Sequence, residues 1–340
     1  MNGQPITEQA PAAPALRLGT RRSALAMAQS GMVAREVTRL TGRAVELVEI
    51  TTYGDTSREA LAQIGGTGVF VSALRDALLE GRIDFAVHSL KDLPTAAPEG
   101  LVLAAVPERE DVRDALVAHE GLTLDELVEK LAGAGRQARI GTGSPRRMAQ
   151  LNAWAAARGA ALETVAIRGN VDTRIGYVTK GELDAVVLAT AGLNRLGRSA
   201  EISQHLDPEL MLPAPGQGAL AIECASGAVL PDGGDLAAAL AALDHAPTRV
   251  EVAAERALLA ALEAGCSAPV AGLATWSRPN ELRLEGVVGT TDGATLLKMS
   301  ANGPIVLDET AEQQATALGR ALAARLLDAG AAALMGERAR

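Results

Sequence analysis

Residues 81–89 read GRIDFAVHS, and residues 181–189 read GELDAVVLA. Each is Gly-x-aliphatic-Asp followed by an apolar run of the same length, the signature of a buried strand. Residues 18–23, LGTRRS, and 140–147, IGTGSPRR, are a second matched pair. In both, an apolar run ends in Gly-Thr and polar residues then open a helical pattern. Recurrence of both signals in the same order predicts two similar α/β units. Their facing strand ends would form a crevice, where proteins of this class bind ligands. The competing reading is chance recurrence of strand–helix chemistry.

The surrounding chain keeps the same rhythm. LRLGT (16–20) reads as a strand, Ser23 to Leu40 as a helix, VELVEI (45–50) as a strand, FVSALRDALLEG (70–81) as a helix and LVLAAV (101–106) as a strand. The alternation resumes with ARIGT, a helix from Arg146 to Arg158, LETVAI, a helix over VDTRIGYVTKG, and DAVVLA. Such alternation predicts α/β layers on largely parallel sheets. After Gln204 the texture changes. LPAPGQGALAIEC (212–224) is rich in Pro and Gly before turning strand-like, and GAVLPDGGD (227–235) reads as a boundary loop. Helical patterns between Leu236 and Glu263, three strands, and an Ala/Leu-rich helix over 311–329 predict a smaller α+β unit. The domain reading is a disordered tail at 1–15, a first lobe at 16–112 plus 216–235, a second at 113–215, and a third unit at 236–340.

Composition narrows the function. With 48% hydrophobic and 21% charged residues, the 340-residue chain is an ordinary soluble globular sequence with room for two or three domains. A net charge of −9 argues against nucleic-acid or anionic-membrane binding. Two cysteines cannot build a disulfide framework and fit a reducing compartment. The start, MNGQPITEQAPAAPA, has neither the basic nor the apolar region of a secretory signal, so a cytoplasmic location is expected.

Against this acidic background the arginines stand out. Arg21, Arg22, Arg146 and Arg147 follow the two Gly-Thr strand ends; Arg168, Arg174 and Arg195 lie at or just past later ones. Arginine forks match carboxylates and phosphates, and helix starts at Ser23 and Ser144 would add backbone donors. The set points to a local anion site, with solvated surface charge as the alternative for any single member. AVHSLKDLPT (86–95) ends a buried strand in polar residues, of which Asp92 suits general acid/base work or cation stabilisation. A plain Lys91–Asp92 turn is its competing reading, and His88 reads equally as a hydrogen-bonded near-core residue. GGTGVF (65–70) lacks a Walker lysine and reads as a loop. The cysteines are far apart and no histidine pair has helical spacing, so no metal site is expected. Cys224, in ALAIEC, reads as a core residue. Cys266, in LEAGCSAPVAG (262–272), falls in a loop between Gly265 and Pro269.

Taken in order, GTRRSALA, TTYGD, GGTGVFVSAL, DFAVHSLKDLPT, EREDVRDAL, IGTGSPRRMAQL, RGNVDTR, AGLNRLG, LPAPGQGALAIEC and the cysteine loop resemble the porphobilinogen deaminase family from Leu16 to the terminal helix. The resemblance implies three domains, two of them like periplasmic solute-binding lobes, with the chain returning to the first near Gly218. It implies a transferase that joins four porphobilinogen molecules head to tail, releases ammonia, and hydrolyses the product off as hydroxymethylbilane. It implies a dipyrromethane cofactor joined to Cys266 through a thioether and Asp92 as the catalytic carboxylate. Lys91, Asp92, Ser144, Arg146 and Arg147 would face the cofactor. Arg21, Arg22, Ser23, Arg168, Arg174 and Arg195 would face porphobilinogen and the growing polypyrrole chain, with Gln217 near the crevice. A monomer with no nucleic-acid or membrane partner is expected. The chain departs from the family at Thr67 and Ser72, where lysines are common, at Pro145, which suits a first helical turn, and at Asp172, expected to pair with Arg174. The competing class is a non-catalytic two-lobed receptor for a small anion.

Overall fold

The structure is a computed structural model that describes residues 13–51, 71–96, 98–229, 234–263 and 268–335. In the first part of the chain, β1 (Leu16–Thr20) leads through α1 (Ala24–Thr41) to β2 (Val45–Glu49). Then come α2 (Ser72–Leu79), β3 (Phe85–Ser89) and β4 (Leu101–Ala105). The second part runs β5 (Asp114–Ala118), α3 (Leu124–Gly133), β6 (Ala138–Thr142), α4 (Pro145–Arg158), β7 (Leu162–Ala166), α5 (Val171–Thr179), β8 (Ala185–Ala189), α6 (Thr190–Arg195) and β9 (Gln204–Leu206). The chain then returns as β10 (Leu220–Ala225).

The matched motifs of the sequence touch each other. A Cβ on Gly19 would lie 2.3 Å from the Ile83 side chain, and one on Gly141 would lie 2.6 Å from Leu183. The Gly of each Gly-Thr pair therefore makes room for the aliphatic residue of each Gly-x-aliphatic-Asp. The Asp that follows is used identically. Asp84 accepts from the Arg17 amide at 2.6 Å, and Asp184 from the Arg139 amide at 2.8 Å. Each pair staples the strand after one motif to the strand before the other, and the duplication is one of contacts as well as letters.

The sheets correspond strand for strand, in orders β2-β1-β3-β10-β4 and β7-β6-β8-β5-β9. They are largely parallel, as expected: among the described strands, four in each sheet run one way and one runs against them. β10 runs antiparallel to β3 and β4, and β5 antiparallel to β8 and β9. Each odd strand is the one the chain enters on crossing between lobes, and its direction follows from that crossing. The cores behind the sheets are aliphatic, with Leu16, Leu18, Val33, Val37 and Ile222 in the first and Leu116, Leu124, Ile140, Leu151 and Val187 in the second.

Beyond β10, α7 (Gly234–Leu243) buries Leu236 and Leu240 in the first lobe's core, although the sequence reading assigned 236 onward to the third unit. α8 (Ala246–Ala261), the antiparallel sheet β11-β12-β13 (Val270–Arg278, Glu281–Gly289, Leu296–Pro304), α9 (Ala311–Asp328) and the short α10 (Ala331–Leu334) follow. Ala254 and Leu258 of α8 pack with Leu284, Val288, Leu322 and Leu326. The opposite face of this sheet meets the second lobe through Ala271, Leu273 and Val287 against Leu212. No helix among the described residues is long and apolar enough to cross a membrane.

Candidate active site

The site lies where strand ends of the two lobes meet the crossings between them. β1 ends in Thr20, and Ser23 caps α1, its hydroxyl accepting from the Ala26 amide at 3.3 Å. Arg22 is exposed and Arg21 half-buried. Ser144 stands at the equivalent start of α4 with no side-chain cap bond, and Pro145 occupies the first turn as expected. The two arginines that follow turn inward. Arg146 Nη1 lies 2.8 Å from Asp114 Oδ2 and donates to the Leu212 carbonyl at 2.6 Å. Arg147 donates to Asp114 Oδ1 from Nη2 at 2.7 Å and from Nε at 3.1 Å, and to the Val187 carbonyl at 2.9 Å.

Asp114 was not singled out from the sequence, yet it organises this wall. It opens β5, is fully buried, and also accepts from Gln217 Nε2 at 2.9 Å. Burial alone would raise its pKa, but Arg146 and Arg147 beside it hold it well below the usual carboxylate range. Gln217 is itself buried between the crossings, donating to the Val112 carbonyl at 2.8 Å and accepting from Lys91 Nζ at 3.4 Å. A charged residue heading the apolar strand DALVA was the available signal for Asp114.

Lys91 and Asp92 stand on the 3-10 turn (Leu90–Asp92) that continues β3. Leu90 and Leu93 on either side are buried, and the Leu90 amide donates to the Ala219 carbonyl at 3.0 Å. The Asp92 side chain is left exposed. Lys91 is half-buried; burial pushes its ammonium down to about 8, with Asp92 opposing and Arg147 reinforcing the shift. Across from this turn, Arg174 on α5 donates from Nε to the Gly169 carbonyl at 2.9 Å. Burial lowers its pKa, Arg147 and Arg168 add to that, and Asp92 opposes it. The charges of Asp92 and Arg147 therefore act on both Lys91 of the first lobe and Arg174 of the second.

Two expectations fall elsewhere. Arg195 is not among these neighbours. Its Nη2 donates to the Gly218 carbonyl at 2.6 Å, its field partner is Glu110, and it lines a cavity of about 430 Å³ with Met27, Met32, Arg35 and Asn194. Asp172 pairs with Arg198 rather than Arg174. Residues two apart on a helix do not face each other, which explains the miss. Cys266 and Thr67 lie outside the described residues. Cys224 is buried in β10, and burial, with Glu223 adding, pushes its thiol up to about 11.

The donor set has a clear chemical bias. Lys91, Arg146, Arg147, Arg168 and Arg174 outnumber Asp92 and Asp114, and Arg146 Nε is buried with no hydrogen-bond partner among the described residues. Such a surplus of partly desolvated cations fits a group bearing several carboxylates.

Known proteins resemble the chain over nearly its whole length. A family profile described as "Porphobilinogen deaminase, dipyromethane cofactor binding domain" matches residues 16–229, and one described as "Porphobilinogen deaminase, C-terminal domain" matches 249–328. "Porphobilinogen deaminase 1" of Streptomyces avermitilis is 66% identical over 328 residues, 95% of this chain and 98% of that one. "Porphobilinogen deaminase" of Thermobifida fusca is 53% identical over 315 residues, 93% of this chain and 94% of that one. Among solved structures, a periplasmic substrate-binding protein of an ABC transporter from Coxiella burnetii covers 67% of this chain and 91% of its own, at 12% identity and a TM-score of 0.40.

Proposed function

The chain belongs to the porphobilinogen deaminase family, and on that premise we propose that it condenses four porphobilinogen molecules into hydroxymethylbilane on a dipyrromethane primer. The observation that supports the site assignment is that the charge of Asp92 acts both on Lys91 of its own turn and on Arg174 of the second lobe.

Dipyrromethane supplies, when bound, the pyrrole carbon to which each new unit is joined. Cys266 is proposed to anchor it through a thioether, because a thiolate is the strongest nucleophile among ordinary side chains and the family match covers both flanks of its loop. Ser144, Lys91 and Arg146 would hold its carboxylates with their open donors. Arg147, whose fork is taken by Asp114 and Val187, contributes charge. Asp92 would give its proton to the departing amine of porphobilinogen, which leaves as ammonia. Its carboxylate would then stabilise the cationic methylene-pyrrole fragment left behind until the new carbon–carbon bond forms, and would take up the proton released from the pyrrole carbon, which restores the acid. Arg21, Arg22, Ser23, Arg168 and Arg174 would bind the acetate and propionate groups of the incoming unit and growing chain. Arg195 would bind them only if the crossing at Gly218 opened.

The domain reading belongs to the same proposal, with one change. The first lobe is taken as 16–112 with 216–243, because α7 packs on it, the second as 113–215, and the third as 244 onward. The chain is read as a cytoplasmic monomer on its composition and cysteine count, and light scattering checks the monomer.

Native mass spectrometry of purified protein given limiting porphobilinogen tests the activity. The expected result is a ladder of one to four added units with ammonia released in step. The competing receptor for a small anion would hold porphobilinogen unchanged and release no ammonia.

A further inference from the structure

Helix α8 presents three residues at helical spacing i, i+3 and i+4 to the first lobe and the crossings: Val252, Glu255 and Arg256. Val252 packs in one apolar cluster with Leu90 and Leu93, the two residues that bracket Lys91 and Asp92. Glu255 accepts from the amide of Gly216 at 2.6 Å. Arg256 reaches the turn itself, donating from Nη1 to the Leu93 carbonyl at 3.1 Å and from Nη2 to the Pro94 carbonyl at 2.8 Å.

These carbonyls immediately follow Asp92. Leu93 is extended, as a residue before proline must be, and Pro94 fixes its own φ. The segment is stiff, so holding its carbonyls fixes the direction in which the turn presents Asp92. A planar guanidinium can span two consecutive carbonyls, whereas an ammonium is a point donor. The nearby carboxylate, Glu223, is already taken by Arg75 at 2.8 and 3.1 Å and faces His88 at 3.1 Å. That leaves Arg256 to the carbonyls. Burial lowers its pKa, Glu223 opposes and Arg75 adds to the shift. A desolvated cation placed on neutral carbonyls rather than in an ion pair is an expensive way to stabilise a fold, which argues for a positional role.

We propose that Arg256 is a positioning residue for Asp92, holding the Leu93–Pro94 carbonyls so that the Asp92 turn stays in register with helix α8. The inference rests on the reading of Asp92 as the catalytic acid.

The test is a double-mutant cycle. Arg256→Leu and Arg256→Lys are made alone and in an Asp92→Asn background, with cofactor load measured by intact mass and rates expressed per primed molecule. Arg256→Leu alone should lower kcat roughly tenfold to a hundredfold with KM within about twofold, the scale of a misplaced reacting group. Arg256→Lys should recover part of the loss. On Asp92→Asn, Arg256→Leu should cost less than about twofold more, because the group it positions is already gone. Losses that multiply in both backgrounds, or a loss carried in KM, would overturn the proposal. So would Arg256→Lys falling as far as Arg256→Leu. If Arg256→Leu does not fold, the Lys variant carries the cycle. Near-normal kcat in Asp92→Asn alone would overturn the acid assignment and this inference with it, whereas a slow Asp92→Asn with multiplying losses overturns only this inference.

Discussion

Arg109 and Glu255 form a two-point ion pair, Nη1 to Oε1 at 2.8 Å and Nη2 to Oε2 at 2.9 Å, with the Glu255 side chain fully buried. Arg109 lies on the outgoing crossing between lobes, and its Nε donates to the Gln217 carbonyl of the returning one at 2.9 Å. Glu255, from α8, also accepts from the amides of Gly216 at 2.6 Å and Ala274 at 2.8 Å. One ion pair thus joins both crossings to the third unit. Burial would lower the Arg109 pKa, but Glu255 and Glu251 outweigh it and raise it.

Breaking a buried pair from one side costs about 3–5 kcal/mol, because the partner keeps an unmatched charge. Arg109→Leu should lose about that much in denaturant unfolding. Apolar replacement of both partners often restores stability elsewhere. Here it should not, because Gly216 and Ala274 would each keep a buried amide without an acceptor, at about 1–3 kcal/mol apiece. An Arg109→Leu/Glu255→Leu protein as stable as wild type would show that these two amide bonds contribute little.

Lys91 makes a prediction about pH. Its folded value of about 8 lies below the ordinary 10.5, so between those values the unfolded chain holds more protons than the folded one. Stability of unprimed protein should therefore rise as pH climbs from about 8 towards 10.5. Lys91→Met should remove that rise and be the more stable protein below pH 8. Urea unfolding of the two proteins across this range gives the comparison. Parallel curves would mean that Lys91 is not desolvated in the unprimed site.

The two cysteines should separate cleanly. Cys224 sits in a strand with its thiol pushed up to about 11, where almost no thiolate exists at neutral pH. Intact mass should show dipyrromethane on wild type and on Cys224→Ser, and none on Cys266→Ser. Fresh wild-type protein that turns over porphobilinogen at the mass of the bare chain would end the thioether assignment.

Much of this was legible because the duplicated motifs are contact pairs. Gly19 with Ile83 and Gly141 with Leu183 are local packing requirements, and such requirements leave marks in sequence. The strand–helix alternation gave the largely parallel direction, but the one reversed strand in each sheet leaves no mark, since β5 and β10 carry the same apolar pattern whichever way they run. The arginines were visible as a set, but their tasks depend on partners far away in sequence. Arg147 is paired with Asp114, and Arg195 is tied to Gly218. Glu255 lies on the buried side of a helix beside Val252, Ala254 and Leu258, and a charge on an apolar stripe is the trace by which it could have been found.

The arginines should divide by the step they serve. Arg146 lies in the wall with Asp114, and its Nε is buried without a hydrogen-bond partner among the described residues. It stands beside Lys91, where a primer carboxylate would complete its bonding. Arg21 follows directly on β1 of the first lobe. Arg146→Leu should therefore accumulate mostly without dipyrromethane, while Arg21→Leu should be primed and stall during later additions. Asp114 keeps Arg147 and Gln217 in the Arg146 variant, so the fold should survive, and Arg146→Gln offers a milder version if it does not. Hydrogen bonds to charged groups contribute roughly 1.5–3 kcal/mol each, so one lost arginine should weaken retention of a carboxylate by about tenfold or more. Native mass spectrometry at limiting porphobilinogen resolves primed from unprimed protein and counts the added units. Full priming of both variants, with ladders identical to wild type, would reduce these side chains to structural charge and require another site for the pyrrole carboxylates.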